Sequence, residues 1–340
     1  MINFIVGCDI SKGTIHFHLT QDNVYVTHGE WSNDTKTLNK KVKSIKNFVA
    51  DIANDQSYQL TFVMEFTGIY NNLLLFVLHK YGIDTWIEHA STIKATCGID
   101  RLKTDKIDAE KIALYGFRFR DKTKLWKPLS KDLEKLNVLI TQREAFIKTK
   151  RQLTQANKDN KKFLDKHSSD FLLQLNTPVV DELVMAIAKL EDEMISLIAN
   201  NSELKENYDI VVSVPGIGPV TARTLLTTTD NFTKFETGKK LGCYSGVVPF
   251  EKSSGALKGK AKVSHKANKK IKTLLHMGAV SASHGKSKMA QYYNRKIAEG
   301  KNKMSVINAL RNKILITAFA CVKNKCKYQD DYMFTFNVEN

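Results

Sequence analysis

Four acids and one serine have the types and spacing for phosphoryl transfer. Asp9 follows the apolar run Ile2 to Cys8, Glu65 ends the run Leu60 to Met64, and Asp105 and Asp108 lie three apart after Thr104. An i, i+3 spacing puts both aspartates on one helix face, and Thr104 suits the cap position. Four carboxylates delivered from two strand ends and one helical turn suit two Mg²⁺ ions roughly 3.5–4 Å apart, clamping attacking and leaving oxygens. Asp105 and Asp108 would also simply offset a helix dipole, and Glu65 would also serve as a solvated loop residue. Asp9 is harder to account for structurally, because an acid beside a buried strand is costly unless it is paired or binds metal.

The serine lies in Ser253-Ser254-Gly255, amid Lys252, Lys258, Lys260, Lys262, Lys266, Lys269 and Lys270, with Glu251 opposing. Such a cluster binds phosphates with strong salt dependence. A serine hydroxyl there is placed to attack a phosphodiester while lysines stabilise the developing charge; a plain turn serine is the simpler alternative. Upstream, Val214-Pro-Gly-Ile-Gly218 resembles a helix-hairpin-helix. Gly216 and Gly218 would let backbone N–H groups face a phosphate, unless they form an ordinary glycine-rich connection.

The elements that must position these groups follow from periodicity. Residues 1–127 alternate strand and helix signals: Phe4 to Val6, Ile15 to Leu19, Val24 to Val26, a helix over Leu38 to Val49, Leu60 to Met64, a helix over Leu73 to His79, and Trp86-Ile87. This predicts an α/β domain opening with a hairpin of strands. Residues 128–206 carry long apolar stripes (Leu133, Leu136, Ile140, Ile147; then Val180 to Leu197) separated by Pro178, which predicts an antiparallel coiled-coil hairpin. Residues 207–326 read as mostly helical, and 327–340 as a weakly ordered tail.

Composition narrows the partners. With 340 residues, 52 Lys+Arg against 35 Asp+Glu, and a net charge of +17, the chain has ample core and a polyanion as its expected partner. No apolar run is expected to reach the roughly 18 residues of a spanning helix, and Ile2 to Ile10 is too short for an export signal. The reading is therefore of a cytoplasmic, nucleoid-associated protein with no membrane partner. Its five cysteines, Cys8, Cys97, Cys243, Cys321 and Cys326, read as reduced thiols outside any zinc pattern.

The order strand-Asp, hairpin, strand-Glu, helix with Asp-x-x-Asp resembles RNase H-like nucleases of the RuvC resolvase type. Over about residues 3–325 the chain resembles the DEDD-type insertion-sequence transposases, the bridge-RNA-guided serine recombinase family related to the Piv DNA invertase. The motifs are Gly7-Cys-Asp9, Glu65-Phe-Thr-Gly-Ile-Tyr70, Lys103-Thr-Asp-x-x-Asp-Ala109, Val214-Pro-Gly-Ile-Gly218 and Gly246-x-x-Pro-x-x-x-x-Ser-Gly255. The resemblance implies a RuvC-like N-terminal domain, a coiled-coil insert and a mostly helical C-terminal transposase domain. It implies Asp9, Glu65, Asp105 and Asp108 as Mg²⁺ ligands and Ser254, the serine before glycine, as nucleophile. It also implies target and donor double-stranded DNA, a noncoding guide RNA, and dimers assembling to a synaptic tetramer. The alternatives are a metal-dependent, junction-cutting nuclease working by hydrolysis, and a non-enzymatic nucleic-acid scaffold.

Overall fold

Apolar alternation along the N-terminal strands builds a sheet with two unlike faces. The computed structural model describes residues 1–96, 104–254, 257–263 and 267–330, with 251–254 and 257–262 described as backbone. The chain falls into two units, Met1–Pro128 and Leu129–Asn340.

In the first unit, β1 (Ile2–Ile10), β2 (Thr14–Gln21) and β3 (Val24–Ser32) run antiparallel. Then β4 (Tyr58–Glu65) lies parallel to β1, and β5 (Asp84–Glu88) parallel to β4, giving the order β3-β2-β1-β4-β5. One face of the sheet, with Phe4, Val6, Cys8, Phe17, Phe62 and Met64, packs on α1 (Thr35–Ala53) and α2 (Asn72–Lys80). The other face packs Ile5, Val63 and Trp86 against Ile112, Ala113 and Tyr115 of α4 (Asp105–Arg118), which follows the short α3 (Ala90–Thr96). β1 does not stop before Asp9, as the apolar run suggested. The ladder continues through Asp9↔His16 and Ile10↔Ile15, so Asp9 is a strand residue.

Two glycines let α4 lie close on the sheet. A Cβ at Gly7 would fall 2.2 Å from the Ala109 carbonyl oxygen and 2.3 Å from the Ala113 nitrogen, and one at Gly116 would fall 2.7 Å from Val63 Cγ2. The first obstruction is helix backbone, which cannot swing aside as a side chain does.

The second unit begins with two long antiparallel helices, α5 (Lys131–Phe163) and α6 (Lys166–Ala199). They are pinned by Lys135–Glu193, Arg143–Glu191 and a hydrogen bond from Asn176 to Asn157. The helix break is not at Pro178, which lies inside α6. The chain turns at Leu164, which is extended, and Asp165 caps the new helix by accepting from Ser168 N–H. A proline removes one intrahelical donor, a loss that the rest of a 34-residue helix tolerates.

The expectation about spanning segments is also corrected. By length and composition, α6 and α12 (Lys303–Lys323) are both apolar enough to cross a membrane. Within this unit α12 is a core helix, burying Val306, Leu310, Ile314, Leu315 and Ala318, while α6 lies along α5. The remaining elements are α7 (Ser202–Val212), α8 (Pro219–Thr228), α9 (Gly238–Tyr244), the hairpin β6 (Pro249–Ser254) and β7 (Leu257–Val263), α10 (Lys269–Ala282) and α11 (Lys288–Ala298). Glu191 on α6 also takes Arg223 of α8, which is only 4% exposed. Of the expected tail, Tyr328 is held, its N–H donating to Ser213 Oγ at 2.8 Å and its ring packed on the core. Residues 331–340 lie outside the described residues.

Gly7→Ala is expected to destabilise the first unit by about 1–3 kcal/mol, because the added methyl must push α4 off the sheet. Denaturant unfolding checks this, and an unchanged midpoint would show that the close approach is not required.

Candidate active site

The ends of neighbouring strands carry the first two acids. Cys8 on β1 pairs with Met64 on β4, so Asp9 and Glu65 are each one residue further along adjacent parallel strands. Alternation turns both to the face that α4 covers. That helix starts beside them: Thr104 Oγ1 accepts from Ile107 N–H at 3.3 Å, which fixes Asp105 and Asp108 in the first turn.

The electrostatics of Asp9 record this convergence. Burial first, and then repulsion from Asp105, Asp108 and Glu65, push its carboxyl up to about 6, while His16 pulls it down. The four acids thus share one field. Among the described residues, however, no three His, Cys, Asp or Glu side chains stand close enough to share an ion. The donor chemistry fits a hard divalent cation, since oxygen ligands and mutual repulsion are what such an ion relieves.

Three neighbours escaped sequence reasoning. His16, directly opposite Asp9 in the β1–β2 ladder, sets Nε2 3.6 Å from Asp105 Oδ2 and 3.9 Å from Glu30 Oε2. The strand's alternation showed it pointing away from Ile15 and Phe17, but only the register reveals its partner. Asn71, fully buried, donates to the Glu65 carbonyl at 2.9 Å and accepts from Thr67 N–H and Oγ1, fastening the loop after Glu65. Glu88 lies opposite Glu65 on β5 and accepts from Tyr115 Oη at 3.2 Å; burial and then Glu88 push that phenol up to about 12.

In the second unit, Ser254 is the last residue of β6 and pairs with Leu257, while Ser253 pairs with Lys258 and Lys252 with Gly259. The side chains of Ser254, Lys252, Lys258, Lys260 and Lys262 lie outside the described residues, as does Lys266 altogether. Lys269 is exposed at the start of α10, and Lys270 pairs with Glu144 of α5 at 2.6 Å. Gly216, at φ +90°, packs against α10, where a Cβ would meet the Gly278 carbonyl at 2.6 Å. Gly218 opens α8 with free space around it.

Residues 6–167 match the IS110-type DEDD transposase family, and residues 208–294 match the transposase family described as IS116/IS110/IS902. The two matches together define a DEDD transposase in two parts. The chain belongs to the IS110/IS116 family of these DNA-recombining proteins. It is 27% identical over 94% of its length to the pilin gene-inverting protein of Moraxella lacunata, covering 95% of that protein, and 26% identical to the Moraxella bovis counterpart over the same shares. A 43.6 kDa protein of insertion element IS110 from Streptomyces coelicolor is 26% identical over 44% of this chain and 38% of its own.

Asp9 titrates above its usual value, so its ionised form opposes folding as pH rises from about 4 through about 6, and that penalty is absent below. In divalent-free buffer at pH 7.5, Asp9→Asn is expected to raise stability by about 1 kcal/mol, or about 2–4 °C in Tm. The gain should vanish below pH 4. A Tm that does not move at pH 7.5 would contradict the crowding of the site.

Proposed function

We propose that the chain is an RNA-guided DNA recombinase of an insertion sequence, joining DNA through a phosphoserine at Ser254, with Mg²⁺ held by Asp9, Glu65, Asp105 and Asp108. The observation that carries this reading is the delivery of Asp9 and Glu65 by adjacent strand ends beside a helix start bearing Asp105 and Asp108, where burial and then the other three acids work against the charge on Asp9. Acids gathered against their own charge suit a cation. The strand order β3-β2-β1-β4-β5, with three antiparallel strands and then two parallel, supports a RuvC/RNase H-like first unit.

Recombination without ATP has to conserve the energy of the phosphodiester. Ser254 Oγ bonds to phosphorus as the P–O3′ bond breaks, the hydroxyl proton is lost, and O3′ leaves to be protonated. A 3′-hydroxyl attacking the phosphoserine reverses these steps on a new partner. When bound, Mg²⁺ supplies charge that stabilises the departing oxygen. Lys252, Lys258, Lys260, Lys262, Lys266 and Lys269 hold phosphates around the serine.

Guide RNA pairing would choose the sequences, leaving the protein to read backbone. Inversion, named in the Moraxella relatives, is a reaction of the same two-site kind. Exposed Phe171, Leu173, Leu175, Val184 and Ile195 on α6 support packing between copies, as dimers that form a tetramer need.

Incubating protein, guide RNA and DNA with Mg²⁺ is expected to leave a protein–DNA adduct that survives denaturation. Ser254→Ala should abolish it, as should Asp9→Ala or chelation of the metal. Cutting that persists in Ser254→Ala without an adduct would replace this reading with hydrolysis by the acids alone.

A further inference from the structure

Arg311 on α12 is a buried cation without an acid. It is 8% exposed, its Nε finds no hydrogen-bond partner, and no carboxylate pairs with it among the described residues. Its one described partner is neutral: a guanidinium nitrogen donates to His276 Nδ1 on α10 at 2.5 Å. Because Nδ1 accepts, the ring proton sits on Nε2 of this half-buried side chain, where no described group takes it. Burial, and then the Arg311 charge, hold His276 below its usual range, which keeps that tautomer uncharged. A buried charge with no counter-charge is costly. The fold bears this cost at a place with a distinct address.

That address is the root of the β6–β7 hairpin. Arg311 meets His276, and further along each helix Ile314 of α12 and Gly278 and Ala282 of α10 flank Gly216, so α10 and α12 advance in the same sense. Their N-terminal halves therefore share one end. There Asn308 of α12 donates to the Val247 carbonyl at 2.9 Å, and Asn268, the cap of α10, donates its N–H to the Tyr244 carbonyl at 2.9 Å. The hairpin leaves from this point at Pro249 and returns at Val263. Helical spacing sets Lys269 and Lys272 on the same edge of α10 as His276. Two further buried polar atoms, Ser245 Oγ and Asn312 Oδ1, also lack partners among the described residues.

We propose that the Arg311–His276 pair is a phosphate-binding site for the DNA backbone, with His276 Nε2–H touching a phosphate oxygen and Arg311 supplying the charge behind it. Six residues of strand, on the order of 17 Å, separate this root from Ser254. The phosphate held is therefore one flanking the reacting phosphate. It sets the register of the duplex along the hairpin and carries no sequence preference.

The inference rests on DNA as substrate and not on the serine chemistry. It is tested on full-length Ser254→Ala protein with a random 30-base-pair duplex, by equilibrium binding across a salt series. Arg311→Gln is expected to weaken binding on the order of tenfold and to lower the slope of log K against log salt by about one. His276→Leu, which removes a neutral donor, should weaken binding similarly with a smaller change of slope, and His276→Gln, which keeps an amide donor, should recover most of the loss. Unchanged affinity and slope in a folded Arg311→Gln would overturn the site. If that variant does not fold, wild-type binding by His276→Leu overturns it equally. An adduct lost or kept at Ser254 bears on neither result.

Discussion

The first unit depends on how closely one helix can approach one strand. Carboxylates repel, and nothing in their own chemistry gathers Asp9, Glu65, Asp105 and Asp108. Gathering is imposed by packing: Gly7 has no Cβ, α4 settles on bare strand backbone, and the apolar contacts of Ile5, Val63, Trp86 and Ile112 hold it there. The helix start then delivers two aspartates to a strand that carries a third. Burial of one hydrophobic layer thus outweighs the desolvation, and then the repulsion, that raise Asp9.

The second unit handles charge by a different route. Glu191 is shared between Arg143 and Arg223, so a single carboxylate joins α5, α6 and α8. Glu144 draws Lys270, at the foot of the serine hairpin, towards α5. Paired glycines at 216 and 278 bring the loop before α8 against α10 with backbone on backbone. These contacts seat the hairpin's root among rigid helices, while Ser254 sits at the end of its strand.

Much of this was legible in the chain. Continuous apolar runs announce β1 and β4 and period-two alternation announces β2, Thr104 marks the start of α4, and the long apolar stripes mark α5 and α6. Ladder register is invisible to periodicity, which is why alternation puts His16 on one face of a strand and does not name Asp105 as its neighbour. Asn71 was missed because a buried amide fastening a loop has no spacing rule. Asp9 was set outside its strand because a charge ends an apolar run, although pairing continues past it. Pro178 misled in the opposite sense, since proline marks helix ends only when nothing else holds the helix straight.

Pro178 also divides α6 mechanically. On one side, towards the chain's turn, lies the Asn157–Asn176 contact; on the other lie the Glu191 and Glu193 ion pairs that fix the helix to its base. The missing rung between them leaves the Gln174 carbonyl without its usual helical donor. The pair of helices is thus tied together by side chains on both sides of the proline, so its continuity there rests on contacts between the helices as well as on the backbone ladder within one of them.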